Sequence, residues 1–288
     1  MWSAAPAAGS AYYILDNKAD GALQGAWGAR LSTNPALWTA PASTDFTKGT
    51  IVAGSDLEAT LCFKCHSSYY WGAGSPPNGV SPNGTATTPV ETDVAMELNP
   101  NNRSGHPVLA SLASFTGSAA PKNLAAAQMV APWNVAVGTQ TMTCSNCHNT
   151  DAASPAAQGP HGSAVTFMIR NGAAKPGWPT AAASATGFAT TFCSDCHVNA
   201  NVHTRDGAHT SAPCYRCHIV IPHGGKMSRL IGDNNGTMPT RYAYSNSLAN
   251  LNIQSFTKAA SDSGYQKSNC QSGTSGCTTH NTAASENW

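Results

Sequence analysis

The stretch CSDCHVNANVHTRDGAHTSAPCYRCHIVIPH, residues 193–223, holds four cysteines and five histidines in one polar segment. It has few large apolar side chains, so burial of its own side chains cannot offset the entropy lost on ordering it. The rest of the chain is similar, because aromatic residues make up only 8% of it and 26 glycines and 18 prolines interrupt it. We therefore expect an irregular, loop-rich fold whose interior is filled by something other than side chains.

Eight of the ten cysteines form four C-x-x-C pairs, and a histidine follows each pair directly. The four motifs are CFKCH at 62–66, CSNCH at 144–148, CSDCH at 193–197 and CYRCH at 214–218. C-x-x-C-H is the attachment signature of c-type haem, in which both thiols bond the porphyrin and the histidine ligates the iron. The predicted cofactors are therefore four c-type haems. The predicted attachment residues are Cys62, Cys65, Cys144, Cys147, Cys193, Cys196, Cys214 and Cys217, with His66, His148, His197 and His218 as proximal ligands.

Zinc or redox-active disulfides are the alternative interpretation of these cysteines. Two C-x-x-C pairs can build a tetrahedral zinc site with four cysteine ligands. Such a site does not require a histidine after every second cysteine, whereas haem attachment does. The regular histidine therefore favours haem.

Each haem iron keeps a second axial position, and its occupant decides the chemistry. Six histidines lie outside the motifs, and we expect four of five to be distal ligands: His106, His161, His203, His209 and His223. His280 is the weakest candidate, because it lies in a polar tail. Methionine is the rival ligand, at Met96, Met129, Met142, Met168, Met227 or Met238. The surplus of histidine favours bis-histidine iron, which is suited to electron transfer rather than to catalysis.

The predicted organisation has three parts: an N-terminal arm (1–61) that packs on haems or on a neighbouring subunit, a tetrahaem core (62–223), and a polar C-terminal segment (224–288). In the last part Cys270 and Cys277 are predicted to form a disulfide. We expect short helical turns around each motif, a longer one near PKNLAAAQMVA (121–131), and few short strands, near FTKGTIVAG (46–54) or AVTFMIR (164–170). The haems would form the core.

Charge and hydropathy exclude several functions. The net charge of +1 offers no basic field for nucleic acid. No apolar run reaches the length of a transmembrane helix. The N-terminus lacks the basic start and apolar stretch of a signal peptide. Haem attachment and an oxidised cysteine pair nevertheless indicate a protein that works outside the cytoplasm.

The motifs and their flanking phrases resemble a known group. LCFKCHSSYYWG (61–72), NRSGHPV (102–108), the two P-H-G units and CYRCHIVIPHGGKMSRLI (214–231) resemble the tetrahaem extracellular cytochromes, especially the OmcE-like proteins that polymerise into nanowires. The resemblance implies closely stacked bis-histidine haems running through a helical homopolymer, with one axial histidine supplied by a neighbouring subunit. It matches the motif residues directly, and His106, His161 and His223 by their surroundings.

The leading hypothesis is therefore an extracellular conductive filament that passes electrons to extracellular acceptors or other cytochromes. A soluble periplasmic or cell-surface shuttle with the same haems is the alternative. A multihaem reductase is a third hypothesis, but it needs one open iron, often marked by a departure from C-x-x-C-H. All four motifs here are regular, so we expect no enzymatic activity.

Overall fold

The computed structural model describes residues 16–72, 93–114, 123–149, 165–170, 175, 187–198, 213–236, 238–256 and 270–272. Within these ranges regular elements are short, and most of the backbone is turn or loop. The expectation of an irregular, loop-rich fold with short helices and few short strands is confirmed.

The strands of the described residues form three antiparallel pairs. The strands β1 (Trp27–Leu31) and β2 (Phe46–Thr50) pair with each other, as do β3 (Ser104–Gly105) and β4 (Gly224–Gly225), and β5 (Ile253–Phe256) and β6 (Cys270–Ser272). β2 confirms the strand predicted near 46–54. Within the described residues 165–170, the strand predicted near 164–170 is wrong, because Phe167 and Met168 take left-handed backbone angles inside a 3-10 turn.

Three α-helices of one turn each stand among the described residues. They are α1 (Ala59–Cys62), α2 (Ser68–Trp71) and α3 (Val94–Glu97). The side chain of Ser67 caps α2 and that of Asp93 caps α3, each by accepting a backbone N–H of the first turn. α1 contains the first cysteine of the first motif, and it packs against β1 at Gly28, where a Cβ atom would lie 2.5 Å from the Thr60 carbonyl oxygen.

Short 3-10 helices supply the other turns. They span Gly21–Leu23, Ser43–Asp45, Leu112–Ser114, Ala126–Gln128, Cys144–Asn146, Thr166–Met168, Phe188–Thr190, Phe192–Asp195, Cys214–Arg216, Ser228–Leu230, Thr240–Tyr242, Tyr244–Asn246 and Leu248–Asn250. The helical turns expected at the motifs are confirmed. The longer helical turn expected near 121–131 is, within the described residues 123–131, only the three-residue turn Ala126–Gln128.

Two small apolar clusters hold the described residues together. The first contains Ala29, Phe46, Ala59, Phe63, Ala95, Leu98, Val108, Trp133 and Met142, and the second Ile219, Met238, Tyr242, Ala243 and Leu251. The thiols of Cys144, Cys147 and Cys196 pack against the first cluster. Motif cysteines therefore lie at the edge of the apolar interior.

Side chains from residues 16–61 and 224–256 contribute to these clusters, and so do side chains from the predicted core segment, 62–223. Phe46 and Trp38 pack within them from the N-terminal side, and Leu251 from the C-terminal side. The three-part division stays a prediction. The predicted Cys270–Cys277 disulfide involves Cys277, which lies outside the described residues. In the part of the chain that the structure covers, no helix is long and apolar enough to cross a membrane.

Candidate haem sites

The four C-x-x-C-H motifs take the same backbone turn. In each motif the N–H of the second cysteine donates to the carbonyl of the first, at 3.1–3.2 Å, and the histidine N–H donates to that same carbonyl, at 2.9–3.0 Å. One turn therefore brings the two cysteines and the histidine of each motif close together. This is the arrangement that attachment to one porphyrin edge and ligation of its iron require.

The motif thiols are free and lie mostly in apolar surroundings. All eight motif cysteines are free rather than paired in disulfides. Burial raises the pKa of Cys147 to about 12 and the pKa of Cys217 to about 11, so both are protonated thiols at neutral pH. Reactive or metal-binding thiolates instead need an electropositive environment that lowers the pKa. The surroundings suit a thioether better than a thiolate.

The zinc alternative finds little support in the arrangement of these thiols. Across the described residues, which include all eight motif cysteines, one group of three or more metal-ligating side chains comes together: Glu58, Cys62 and Cys144, with ligand atoms within 4.8 Å of one another. It takes a single cysteine from each of two motifs, whereas a four-cysteine zinc site needs both cysteines of both pairs. The Glu58 carboxylate is also engaged, since it accepts hydrogen bonds from the Ser145 N–H and hydroxyl at 2.8 and 2.7 Å.

Consecutive motifs are neighbours in space. The pKa of Cys144 is raised first by a hydrogen bond with the Cys62 thiol of the preceding motif and then by burial. The pKa of Cys147 is raised by burial and next by the nearby Cys193, and the pKa of Cys193 is raised by burial and also by Cys214. The four motifs therefore follow one another in the fold in the order in which they occur in the sequence.

The histidine of the second motif faces a histidine far away in the sequence. The Nε2 atoms of His148 and His223 lie 3.5 Å apart, and the two ring centroids are 5.8 Å apart with an interplanar angle of 63°. Imidazole nitrogens bind a metal at about 2.0–2.1 Å, so two nitrogens on opposite sides of one metal ion stand about 4 Å apart. The observed pair needs an outward shift of only about half an ångström to hold an iron between its nitrogens.

The histidine of the third motif has a comparable partner. The rings of His197 and His106 have centroids 6.2 Å apart and an interplanar angle of 61°. Their separation resembles that of the first pair. Two of the five predicted distal histidines thus face a motif histidine each.

The short β3–β4 pair brings these two distal histidines together. Gly105 lies opposite Gly224 in the register, and the N–H of His106 donates to the His223 carbonyl at 2.9 Å. Glycine is needed at position 224, because a Cβ atom there would lie 2.0 Å from the backbone oxygen of Glu97. One minimal strand pair therefore presents a ligand candidate to the second motif and another to the third.

Hydrogen bonds at Nδ1 orient four of these imidazoles. His148 donates to the Phe167 carbonyl at 2.9 Å, His218 to the Arg229 carbonyl at 3.0 Å, and His106 to the Pro222 carbonyl at 2.5 Å. His223 contacts the carboxylate of Glu97 at 2.6 Å. A proton held on Nδ1 leaves the Nε2 lone pair available to a metal, which is the usual arrangement for a ligating histidine.

Burial also favours the neutral, metal-binding form. The pKa of His148 is lowered to about 4 by burial and then by the nearby His223. The pKa of His197 is lowered to about 4 by burial and by His106. Burial also lowers the pKa of His106. These three side chains are therefore uncharged at neutral pH.

Three segments, which we name the clip segments, pair with the motif histidines through single antiparallel bridges. They are residues 126–130, 166–170 and 228–232, and their bridges join Met129 with His197, Ile169 with His148, and Ile231 with His218. In the last two, the carbonyl that accepts the Nδ1 proton belongs to a residue with positive φ: Phe167 at 57° and Arg229 at 59°. Sequence reasoning missed these segments. Two of the three share a sequence signal, an isoleucine at the fourth position of TFMIR and SRLIG.

The described residues also offer partners for the carboxylates of a haem. The Nε atoms of Arg103 and Arg241 are buried, with no hydrogen-bond partner in the part of the chain that is described. Both side chains are half-buried as a whole, and Cζ of Arg241 lies 5.1 Å from the centroid of the Tyr242 ring. Guanidinium groups pair well with carboxylates. Together with the facing imidazoles and the thiols in apolar surroundings, these two arginines are compatible with a bound haem, which is a flat apolar ring that carries acidic groups.

The remaining ligand predictions lie beyond what the structure describes. His161, His203, His209 and His280 fall outside the described residues, so the distal partners of His66 and His218 stay predictions. Three of the rival methionines, Met142, Met227 and Met238, are buried side chains of the interior. Comparison with known proteins adds nothing further: no protein-family model, no curated protein and no solved structure matches the chain.

Proposed function

We propose that this chain is an electron-transfer protein with four c-type haems, each held between two imidazoles, and that it works as the subunit of an extracellular conductive filament. The observation that carries the proposal is the facing of a motif histidine by a distant histidine at two motifs, His148 with His223 and His197 with His106. When bound, c-type haem would supply one-electron chemistry at iron, which requires no bond to be made or broken in a substrate.

The residues of the chain have three tasks under this proposal. The eight motif cysteines would tether the cofactor and the paired imidazoles would ligate its iron. Two of the clip segments, 166–170 and 228–232, hold His148 and His218 in the ligating tautomer. None of these tasks requires a side chain that makes or breaks bonds in a substrate. An iron ligated by two imidazoles would have no open position for a small substrate, which disfavours the reductase alternative.

The first experiment tests the cofactor. The full chain is produced in a host that attaches c-type haem, and haem is counted per polypeptide by pyridine haemochrome absorbance and by intact mass. We expect four covalent haems, a low-spin ferric spectrum and no rapid carbon monoxide binding after reduction. A colourless protein, or one with bound zinc and free thiols, would overturn the proposal.

The second experiment separates the filament from the soluble shuttle. The filament proposal rests on the resemblance of the phrases around the motifs to OmcE-like subunits, and a head-to-tail interface that does not close propagates without limit. Secreted material is examined by size-exclusion chromatography and negative-stain microscopy. Helical polymers are expected. Discrete tetrahaem monomers would support the periplasmic or cell-surface shuttle instead.

A further inference from the structure

Among the four imidazoles that are oriented through Nδ1, His223 differs from the others in the partner of that atom. His106, His148 and His218 each use a backbone carbonyl, which is neutral. His223 uses Oε2 of Glu97, at 2.6 Å. A carboxylate in this position makes an imidazole a stronger electron donor to a metal than a carbonyl does.

Glu97 is held firmly in place. It is the last residue of α3 and is fully buried, with 0% of its surface exposed. Its other carboxylate oxygen accepts a hydrogen bond from the Tyr242 hydroxyl at 2.5 Å, and its backbone carbonyl accepts one from the Asn102 side chain at 2.8 Å. Tyr242 is itself fully buried in the second apolar cluster and packs against Trp38 in a tilted arrangement, with ring centroids 5.3 Å apart and an interplanar angle of 59°. Both carboxylate oxygens therefore have a fixed donor.

A buried acidic side chain has few structural reasons to be here. Burying a carboxylate costs several kcal/mol unless its partners compensate, and an apolar residue of similar size would fill the same space. The helix α3 does not need it, since Asp93 already caps the helix at its N-terminus. The contact that distinguishes Glu97 is the one with a predicted iron ligand.

We propose that Glu97 is a positioning residue that acts through His223 and lowers the reduction potential of the iron held by His148 and His223. This inference rests on the function proposed above. A negative charge that water does not screen stabilises the ferric iron over the ferrous iron, and greater donation from the imidazole acts in the same direction. Tyr242 fixes the carboxylate and takes up part of its charge. The site at the second motif is therefore set apart from the site held by His106 and His197, whose distal imidazole is bonded to a carbonyl.

The test is the variant Glu97→Gln, which keeps the shape of the side chain and an oxygen that can accept the His223 proton, but removes the charge. Reduction of the full-length holoprotein is followed in a potentiometric titration by visible and electron paramagnetic resonance spectra. Each of the four haems contributes one component to the titration, and a separate reduction potential is fitted to each component. We expect one component to move to higher potential while the other three stay where they are. An unchanged set, or an equal movement of all four, would overturn the inference.

Two further variants separate a charge effect from a structural one. Asp56→Asn is the matched control, because Asp56 is a mostly buried carboxylate that pairs with Arg30 at 2.6 Å and contacts none of the histidines discussed here; it should leave all four potentials unchanged. Tyr242→Phe removes the other hydrogen-bond donor to the Glu97 carboxylate. The carboxylate then acts more strongly on His223, so the same component should move to lower potential. Movement upward, or none, counts against the inference.

Failure of the inference and failure of the proposed function give different results. If the function is wrong, the wild-type protein carries no fourfold covalent haem and there are no four components to fit. If only the inference is wrong, Glu97→Gln carries four low-spin haems with the potentials of the wild type.

Discussion

A histidine ligates iron well when one ring nitrogen is held by a fixed acceptor and the other faces the metal. His148 meets both conditions through the Phe167 carbonyl and the facing ring of His223. The pair His106 and His197 meets the second condition, while Nδ1 of His197 is buried without a partner among the described residues. At the scale of single residues, the two sites therefore differ in how firmly their imidazoles are held.

Removal of one distal imidazole should open one iron and no more. We expect His223→Gly to bind carbon monoxide, after reduction, at one haem in four, because the second-motif iron loses its sixth ligand. Added imidazole should fill the space and suppress binding. The measurement is the carbon monoxide difference spectrum, with wild-type protein as the reference.

His106→Gly supplies the matched comparison, because it opens the third-motif iron without leaving a carboxylate unpartnered. It should also bind carbon monoxide at one haem in four, and the double variant at two. If the His223→Gly protein binds none, His223 is not the ligand.

The β3–β4 pair shows how much one small element controls. It has only two residues in each strand, yet it determines how His106 and His223 lie relative to each other. These two histidines are the proposed distal ligands of two different irons. The close approach of Gly224 to the Glu97 backbone leaves no room for a side chain. A clash with backbone cannot be relieved by a change of rotamer, so the strand itself must move.

Gly224→Ala should therefore disturb two sites at once. We expect the holoprotein to lose about 2 kcal/mol or more of unfolding free energy, and two of the four haems to change their ligand-field spectra. Gly21→Ala is the control, since a Cβ atom at position 21 meets nothing within 4 Å. Chemical denaturation and low-temperature electron paramagnetic resonance provide the two readouts. Equal behaviour of the two alanine variants would contradict the role assigned to this strand pair.

The clip segments make a second prediction at the scale of elements. Phe167 has a φ of 57° and 60% of its surface exposed, so its side chain contributes little packing while its backbone carries strain. Phe167→Val should destabilise the protein by about 1 kcal/mol or more, because a β-branched residue tolerates left-handed angles poorly. Phe167→Asn should stay within about 0.5 kcal/mol of wild type, since asparagine accepts these angles. Thermal unfolding of both variants checks the difference, and a stable valine variant would be inconsistent with the observed turn.

What the sequence could predict at this scale depends on the range of the interactions. The turns of the four motifs follow from local spacing, and the glycine and proline neighbours of His106 and His223 marked them as ligand candidates. Their pairing with His197 and His148 depends on the register of β3 with β4, which joins segments more than a hundred residues apart. The sequence predicts a strand near AVTFMIR (164–170), but two left-handed residues, Phe167 and Met168, turn its described part into a clip. Glu97 gave no signal, since only the fold brings it to His223.

At the scale of the whole molecule, the apolar interior that the described residues form is divided and thin. Three of the nine buried residues of the first cluster are alanines, and the second cluster has five buried residues. At about 25 cal/mol for each Å² of apolar surface buried, clusters of this size offset little of the entropy of ordering long loops. The loop-rich character was predictable from composition, whereas the membership of the two clusters, which join residues far apart in the sequence, was not.

The chain without its cofactor should therefore fail to fold. We expect full-length protein made in a compartment that lacks haem attachment to show no cooperative thermal transition, weak near-ultraviolet circular dichroism and rapid amide hydrogen exchange. The holoprotein should unfold in one transition, because ligation ties the motifs to the β3–β4 pair and the attached plates cover the thiols at the edge of the first cluster. Differential scanning calorimetry of both forms makes the comparison. A cooperative transition of similar enthalpy in the haem-free chain would mean that side chains alone build the interior, and the cofactor would then lose its structural role.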